Sequence, residues 1–136
     1  MNRQDDLVGR YTAIWNEPSA ERRRAMVAEL WTEDAVHVFE PPHEVVEAAT
    51  ALNVTGIFQA RGHAELEGRV ARAYEEFVAP GDYSFRRAGE PKRVADAVRF
   101  AWEMASPDGA VAATGLELVL LAPDGRIRLD YQFIES

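Results

Sequence analysis

The sequence predicts an α+β protein in which helices come first and a curved antiparallel sheet follows. Two turns carry most of this reading. Ser106-Pro107-Asp108-Gly109 and Ala122-Pro123-Asp124-Gly125 separate three β-rich runs, Ala97–Met104, Ala110–Leu121 and Arg126–Glu135. Proline presets φ at the first corner, Asp caps its own backbone, and Gly accepts φ > 0. Such turns between β-rich runs join antiparallel hairpins. The second observation is alternation: Val98, Phe100, Trp102 and Met104 share one face, and Arg99, Ala101 and Glu103 the other. That apolar face needs a cover. The third is that the upstream apolar residues fall at helical spacing and can supply it.

In chain order, Leu7, Val8, Tyr11, Ile14 and Trp15 mark one face of a first helix. Asp5 and Asp6 suit its N-terminal dipole, and Asn16-Glu17-Pro18 stops it. Ser19 is the N-cap of a second helix whose apolar side is Met26, Val27, Leu30 and Trp31. Arg22, Arg23 and Arg24 read as its solvated face. Thr32-Glu33-Asp34 is a turn, and Ala35–Glu40 a short strand ended by Pro41-Pro42. Glu44–Leu52 reads as a short helix and Thr55–Gln59 as a short strand around Gly56. A third clear helix opens at Gly62-His63 and carries Leu66, Val70, Ala73, Tyr74 and Phe77 on one face, until Pro80-Gly81. Tyr83–Ala88 is then a strand. In Ala110–Leu121 both faces are apolar: Leu116, Leu118 and Leu120 on one, Val111, Ala113, Val119 and Leu121 on the other. Helices cover one face; a second subunit would cover the other, so a homodimer is expected.

Composition narrows the function. The 136 residues suit a single domain, 1–136, with a real core. A net charge of −8 disfavours nucleic-acid binding, which needs a basic surface. The absence of cysteine excludes thiol catalysis and thiolate metal sites. No apolar run reaches membrane-span length, and Met1–Asp6 lacks a signal-peptide core; no membrane and a cytoplasmic location are expected.

The pattern resembles the nuclear-transport-factor-2-like cone fold, in particular its SnoaL-like branch. The resemblance rests on Arg10-Tyr11-Thr12-Ala13-Ile14-Trp15-Asn16, Leu30-Trp31-Thr32-Glu33-Asp34-Ala35, Gly62-His63-Ala64-Glu65-Leu66 and Asp124-Gly125-Arg126-Ile127, in that order along nearly the whole chain. It implies a conical half-barrel closed by helices around a deep apolar pocket, usually in a dimer. Members include ketosteroid isomerases, epoxide hydrolases, polyketide cyclases, dehydratases and non-catalytic binders, so fold does not settle function.

Four residues are candidates for chemistry. Tyr11, on the buried side of its helix, is either a satisfied core tyrosine or a donor inside the pocket; the resemblance to ketosteroid isomerases implies a donor to a developing oxyanion. Glu40, before Pro41, takes the place of the isomerases' general base when aligned on the proline; read alone, it is an exposed glutamate at a strand end. Glu117 is a carboxylate amid apolar strand residues, costly unless paired or neutralised. It matches the isomerases' protonated acid, or else pairs with Arg99. His37 is a competent base near neutral pH or a satisfied core or interface histidine. In a regular strand His37 and Glu40 point to opposite faces. His37, Glu40 and His43 do not make a metal site, because spacing of three on a strand divides the ligands between faces. No metal and no cofactor are expected. Asp130 alternates with Ile127, Leu129, Tyr131 and Phe133 and faces away from them; Asp130-Tyr131 is a poor match to the Asp-Tyr pair of the epoxide hydrolases.

Trp15, Trp31, Phe39, Tyr74, Phe77, Phe85, Phe100 and Trp102 are divided between core and pocket lining, and suit a flat apolar ligand. The expected function is cofactor-independent isomerisation, cyclisation or dehydration of a small apolar carbonyl compound by carboxylate acid–base chemistry. The alternatives are a non-catalytic pocket for a small apolar ligand and a dimeric interaction module.

Overall fold

The computed structural model describes residues 3–40, 43–53 and 58–135. The chain runs α1 (Arg3–Asn16), α2 (Ala20–Leu30), β1 (Trp31–Val38), α3 (His43–Ala51), β2 (Gln59–Arg61) and α4 (Gly62–Ala73). A π-helical turn, Tyr74–Val78, follows α4. Four strands complete the chain: β3 (Ser84–Val94), β4 (Ala97–Ala105), β5 (Val111–Leu121) and β6 (Ile127–Ile134). Among the described residues, six strands form one open sheet in the order β2-β1-β6-β5-β4-β3.

The late strands follow their turn chemistry. Gly109 and Gly125 hold φ of +91° and +89°. Asp108 Oδ1 accepts from Ala110 N, and Asp124 Oδ1 from Arg126 N, each at 3.0 Å. These contacts fix the β4–β5 and β5–β6 hairpins. The sheet is mixed rather than wholly antiparallel, because β1 lies parallel to β6. No hairpin turn links these two, so turn chemistry carries no signal for their pairing. Residues 54–57, which hold most of the expected Thr55–Gln59 strand, lie outside the described residues.

Two strands differ from expectation. β1 begins at Trp31, and Thr32-Glu33-Asp34 lies within it as an irregularity rather than a turn; the Thr32 hydroxyl donates to Asp34 Oδ1 at 3.0 Å. β3 continues past Ala88 to Val94, taking Gly89 and Pro91 into a register shift instead of ending there.

The expected face of α1 is buried: Leu7, Val8, Tyr11, Ile14 and Trp15 meet Val27, Leu30, Leu66, Val70, Val98, Phe100 and Val119 in one core. Ser19 caps α2, its hydroxyl accepting from Arg22 N at 3.2 Å. The arginine run is not uniformly solvated. Arg22 and Arg24 are exposed and pair with Glu17 and Glu67. Arg23 is buried, donates to the Glu17 carbonyl at 2.6 Å and lies 4.9 Å from the centre of the Tyr74 ring. A long aliphatic stem lets such a residue pack inward while its head finds a carbonyl.

Helices α1, α2 and α4 cover one face of the sheet, the concave one. On the convex face Leu116, Leu118, Leu120 and Leu129 are partly exposed, and Tyr131 and Phe133 are exposed. No helix among the described residues is long and apolar enough to cross a membrane.

Candidate functional site

Four ionisable side chains meet on the concave face, and strand register explains why. Glu117 on β5 lies opposite Phe100 on β4 and Gln132 on β6. Asp130 lies opposite Val119 on one side and His37 on the other. Between Leu121↔Ile127 and Leu120↔Leu129, β6 has one extra residue, Arg128. That bulge puts Ile127 and Asp130 on the same buried face, although strict alternation places them on opposite ones. Asp130 does face away from Leu129, Tyr131 and Phe133, but what lies on its own side is the centre of the polar cluster.

Tyr11, on α1, donates its hydroxyl to Asp130 Oδ2 at 2.8 Å. His37 Nδ1 lies 3.0 Å from the same oxygen. Trp102 Nε1 donates to Glu117 Oε1 at 2.9 Å. His37, Glu117 and Asp130 are fully buried. Glu117 Oε2 and Asp130 Oδ1 have no donor of their own, as two facing carboxyls require unless one is protonated. Burial pushes the Glu117 carboxyl well above the usual carboxylate range, and the neighbouring Asp130 charge adds to the rise. For Asp130 burial acts upward too, but the charge of His37 and hydrogen bonds from Glu117, His37 and Tyr11 outweigh it and hold its carboxyl low. These opposite directions favour one proton on Glu117 and one charge on Asp130. Burial also raises the Tyr11 hydroxyl, with the charges of Asp130 and Glu117 acting the same way.

One atom each from His37, Glu117 and Asp130 lies within 4.8 Å of the others, close enough to hold a metal ion. A proton shared by the two carboxyls satisfies the same oxygens. The side chain of His43 lies outside the described residues, so the His37, Glu40, His43 set is not assembled here.

In front of this cluster is a cavity of about 610 Å³. Tyr11, Thr12 and Trp15 reach it from α1, Arg69 and Ala73 from α4, and Glu76 and Phe77 from the following turn. The sheet side is Phe39 and Glu40 after β1, Phe85, Trp102, Met104, Ala113, Gln132 and Ile134. Tyr11 and Trp102 are the walls bonded to the acidic pair, while Phe39 and Trp15 pack on His37 with ring centres 5.3 and 5.9 Å away.

Among the candidates, Tyr11 and Glu40 line the cavity, and Glu117 and His37 are buried behind it. Glu40 lies beyond the end of β1, so strand alternation no longer governs it; its Oε1 accepts from Ile134 N at 3.0 Å. Glu117 does not pair with Arg99. Arg99 is opposite Leu118, on the convex face, and the Trp102 indole takes the place of the expected partner. Trp15, Phe39, Phe77, Phe85 and Trp102 line the cavity. Trp31 and Phe100 are core residues, and Tyr74 stacks on Arg23, so these three do not.

In the sequence Asp130 reads as facing away from Ile127, Leu129, Tyr131 and Phe133; the bulge at Arg128 puts it on the buried face with Ile127. The sequence does not single out Arg69. Arg69 is at the margin of the apolar face of α4; its guanidinium lies 4.0 Å from the centre of the Phe39 ring and 5.7 Å from that of Trp15, and donates to Gln132 Oε1 at 3.0 Å.

No family model matches the sequence, and no curated protein matches it. Solved structures do. A candidate isomerase of the SnoaL-like family from Agrobacterium tumefaciens superposes with a TM-score of 0.78 and 29% identity over 100% of both chains. A candidate polyketide cyclase from Sinorhizobium meliloti gives 0.59 and 15% identity, over 97% of this chain and 99% of its own. A protein of ketosteroid isomerase-like fold from Catenulispora acidiphila, in complex with trimethylamine, gives 0.63 and 14% identity, over 93% and 83%. The helices on one face of an open six-stranded sheet, and these superpositions, make this a SnoaL-like, nuclear-transport-factor-2-like cone fold.

Proposed function

We propose that this protein is a cofactor-independent proton-transfer enzyme, of the isomerase or cyclase kind, acting on a small apolar carbonyl compound. The observation that carries this reading is the Glu117–Asp130 pair directly behind a cavity wall, bonded to it through Tyr11 and Trp102. Two carboxyls with protonation preferences pushed apart form an acid–base centre rather than a structural ion pair. Glu40, at the cavity mouth, takes the proton α to the carbonyl. The Tyr11 hydroxyl then turns from Asp130 to the developing enolate oxygen. Asp130 loses one hydrogen bond in that turn and keeps the proton of Glu117 and the contact with His37, so its charge stays balanced. Trp15, Phe39 and Phe85 hold the apolar body of the ligand and exclude water. The convex apolar face around Leu118, Tyr131 and Phe133 is the proposed homodimer contact.

A second reading has a specific observation behind it. His37, Glu117 and Asp130 are wholly buried, with Asp130 held by Tyr11 and Glu117 by Trp102, which suits a structural floor under a non-catalytic ligand pocket. One experiment separates the two. In deuterated buffer with 2-tetralone, the enzyme reading expects accelerated loss of the α-proton signal by NMR. It also expects Glu40→Gln to slow that exchange by roughly 100-fold or more. Binding of 2-tetralone with exchange no faster than in buffer establishes the binder.

A further inference from the structure

The cavity contains a cation that its own walls do not neutralise. Arg69 forms no ion pair with a carboxylate among the described residues; its hydrogen-bond partner is the neutral Gln132. Its Nε is buried and has no acceptor, although a guanidinium offers five donors. Phe39 packs on one side of the group and Trp15 near it. Burial disfavours the charged form, and the Tyr11, Glu117 and Asp130 side chains offset this only in part. The two other cavity acids, Glu40 and Glu76, are exposed, and Glu40 is held by the backbone of β6. The chain as a whole carries −8, so a cation kept facing an aromatic cavity is a local feature against the general field.

A half-buried guanidinium, held against aromatic rings in a cavity wall with only a neutral amide as its hydrogen-bond partner, suits an anionic oxygen. We propose that the ligand of this cavity carries a carboxylate that binds Arg69, on the same apolar frame as the reacting carbonyl. This rests on the proton-transfer reading for the carbonyl, and defines the substrate class as an apolar oxo acid. The carboxylate takes Nη1 of Arg69 while Gln132 holds Nη2. Gln132 is also the cross-strand partner of Glu117, so the anion site and the acidic pair are set by one strand register. Carboxylate binding thereby orients the ligand relative to Tyr11 and Glu40.

The test compares 2-naphthoate with 2-naphthamide, equal in shape and different in charge. Titration is followed by calorimetry and by quenching of the cavity tryptophans. The acid is expected to bind roughly 10- to 100-fold more tightly than the amide, as a charge-assisted contact gives. Arg69→Met should remove that preference and leave amide binding nearly unchanged. Should Arg69→Met fail to fold, Gln132→Glu supplies an internal counter-charge and is expected to reduce acid binding alone. Equal affinity of acid and amide for the native protein overturns the proposal; so does binding of neither, or loss of both together in a folded variant. Preference for the acid with no α-proton exchange on 2-tetralone leaves the anion site standing and removes the enzymatic reading. Exchange without acid preference does the reverse.

Discussion

Trp102 lies directly over Gly115, its cross-strand partner, and a Cβ added at residue 115 would penetrate the indole ring. The absence of a side chain at 115 lets Trp102 lie flat, reach Glu117 with Nε1 and form the cavity wall. The indole is half-buried rather than sunk in the core beside Val98 and Phe100.

Gly115→Ala should therefore displace Trp102 and break its bond to Glu117. A loss of about 1–3 kcal/mol is expected in denaturant melts, the usual range for overpacking. The tryptophan emission maximum should move as well. A variant with native stability and native emission would show that the indole is not held against Gly115.

Tyr11→Phe removes the donor at 2.8 Å from Asp130 and leaves that oxygen with His37 alone. The expected cost is about 1–3 kcal/mol, because a buried charged acceptor loses a partner. Chemical denaturation measures it. A neutral outcome would mean that Asp130 does not depend on the tyrosine.

Stability should respond to pH in two opposite ways. Glu117 holds its proton more tightly in the folded chain, so its contribution is full below the unfolded glutamate value of about 4.3 and is lost as pH rises through its folded value. Asp130 behaves conversely, contributing above the unfolded aspartate value and losing that contribution as pH falls through its own lowered folded value. Glu117→Gln keeps a neutral donor and should flatten the upper limb of the stability–pH curve. Glu117→Leu leaves the Trp102 indole without its acceptor and Asp130 without the neighbouring carboxyl, and should destabilise at every pH. An unchanged upper limb in Glu117→Gln would contradict the assignment of the proton.

The convex face predicts self-association. Light scattering at micromolar concentration should give twice the chain mass, and Leu118→Glu should convert it to monomer. A native monomer at that concentration would leave Leu116, Leu118, Leu120 and Phe133 as an uncovered face and end the dimer proposal.

Much of the fold was legible because it is local. Both Pro-Asp-Gly turns, the Ser19 cap and the buried face of α1 follow from chemistry within a few residues. The parallel β1–β6 pairing joins segments far apart in sequence, and no turn specifies it. The site was half legible for the same reason. Glu117 stands out as a charge among apolar neighbours, and Tyr11 as a polar group on a buried helical face. Asp130 has the same apolar flanks, Leu129 and Tyr131, but the extra residue at Arg128 falsifies the period-two count that placed it relative to Ile127. Arg69 and Arg23 show the limit of polarity as a guide: each packs on aromatic rings, where a guanidinium behaves as a flat surface as much as a charge.

The proposed site rests on one proton shared by Glu117 and Asp130 behind the cavity wall. Carbon-13 NMR titration of the two side-chain carboxyls tests it most directly. The pair is expected to titrate in two separated steps, one below and one above the ordinary carboxylate range, with Glu117 still protonated as pH passes well above about 4.3. If both carboxyls lose their protons together near their unperturbed values, the shared proton does not exist and the acid–base account fails.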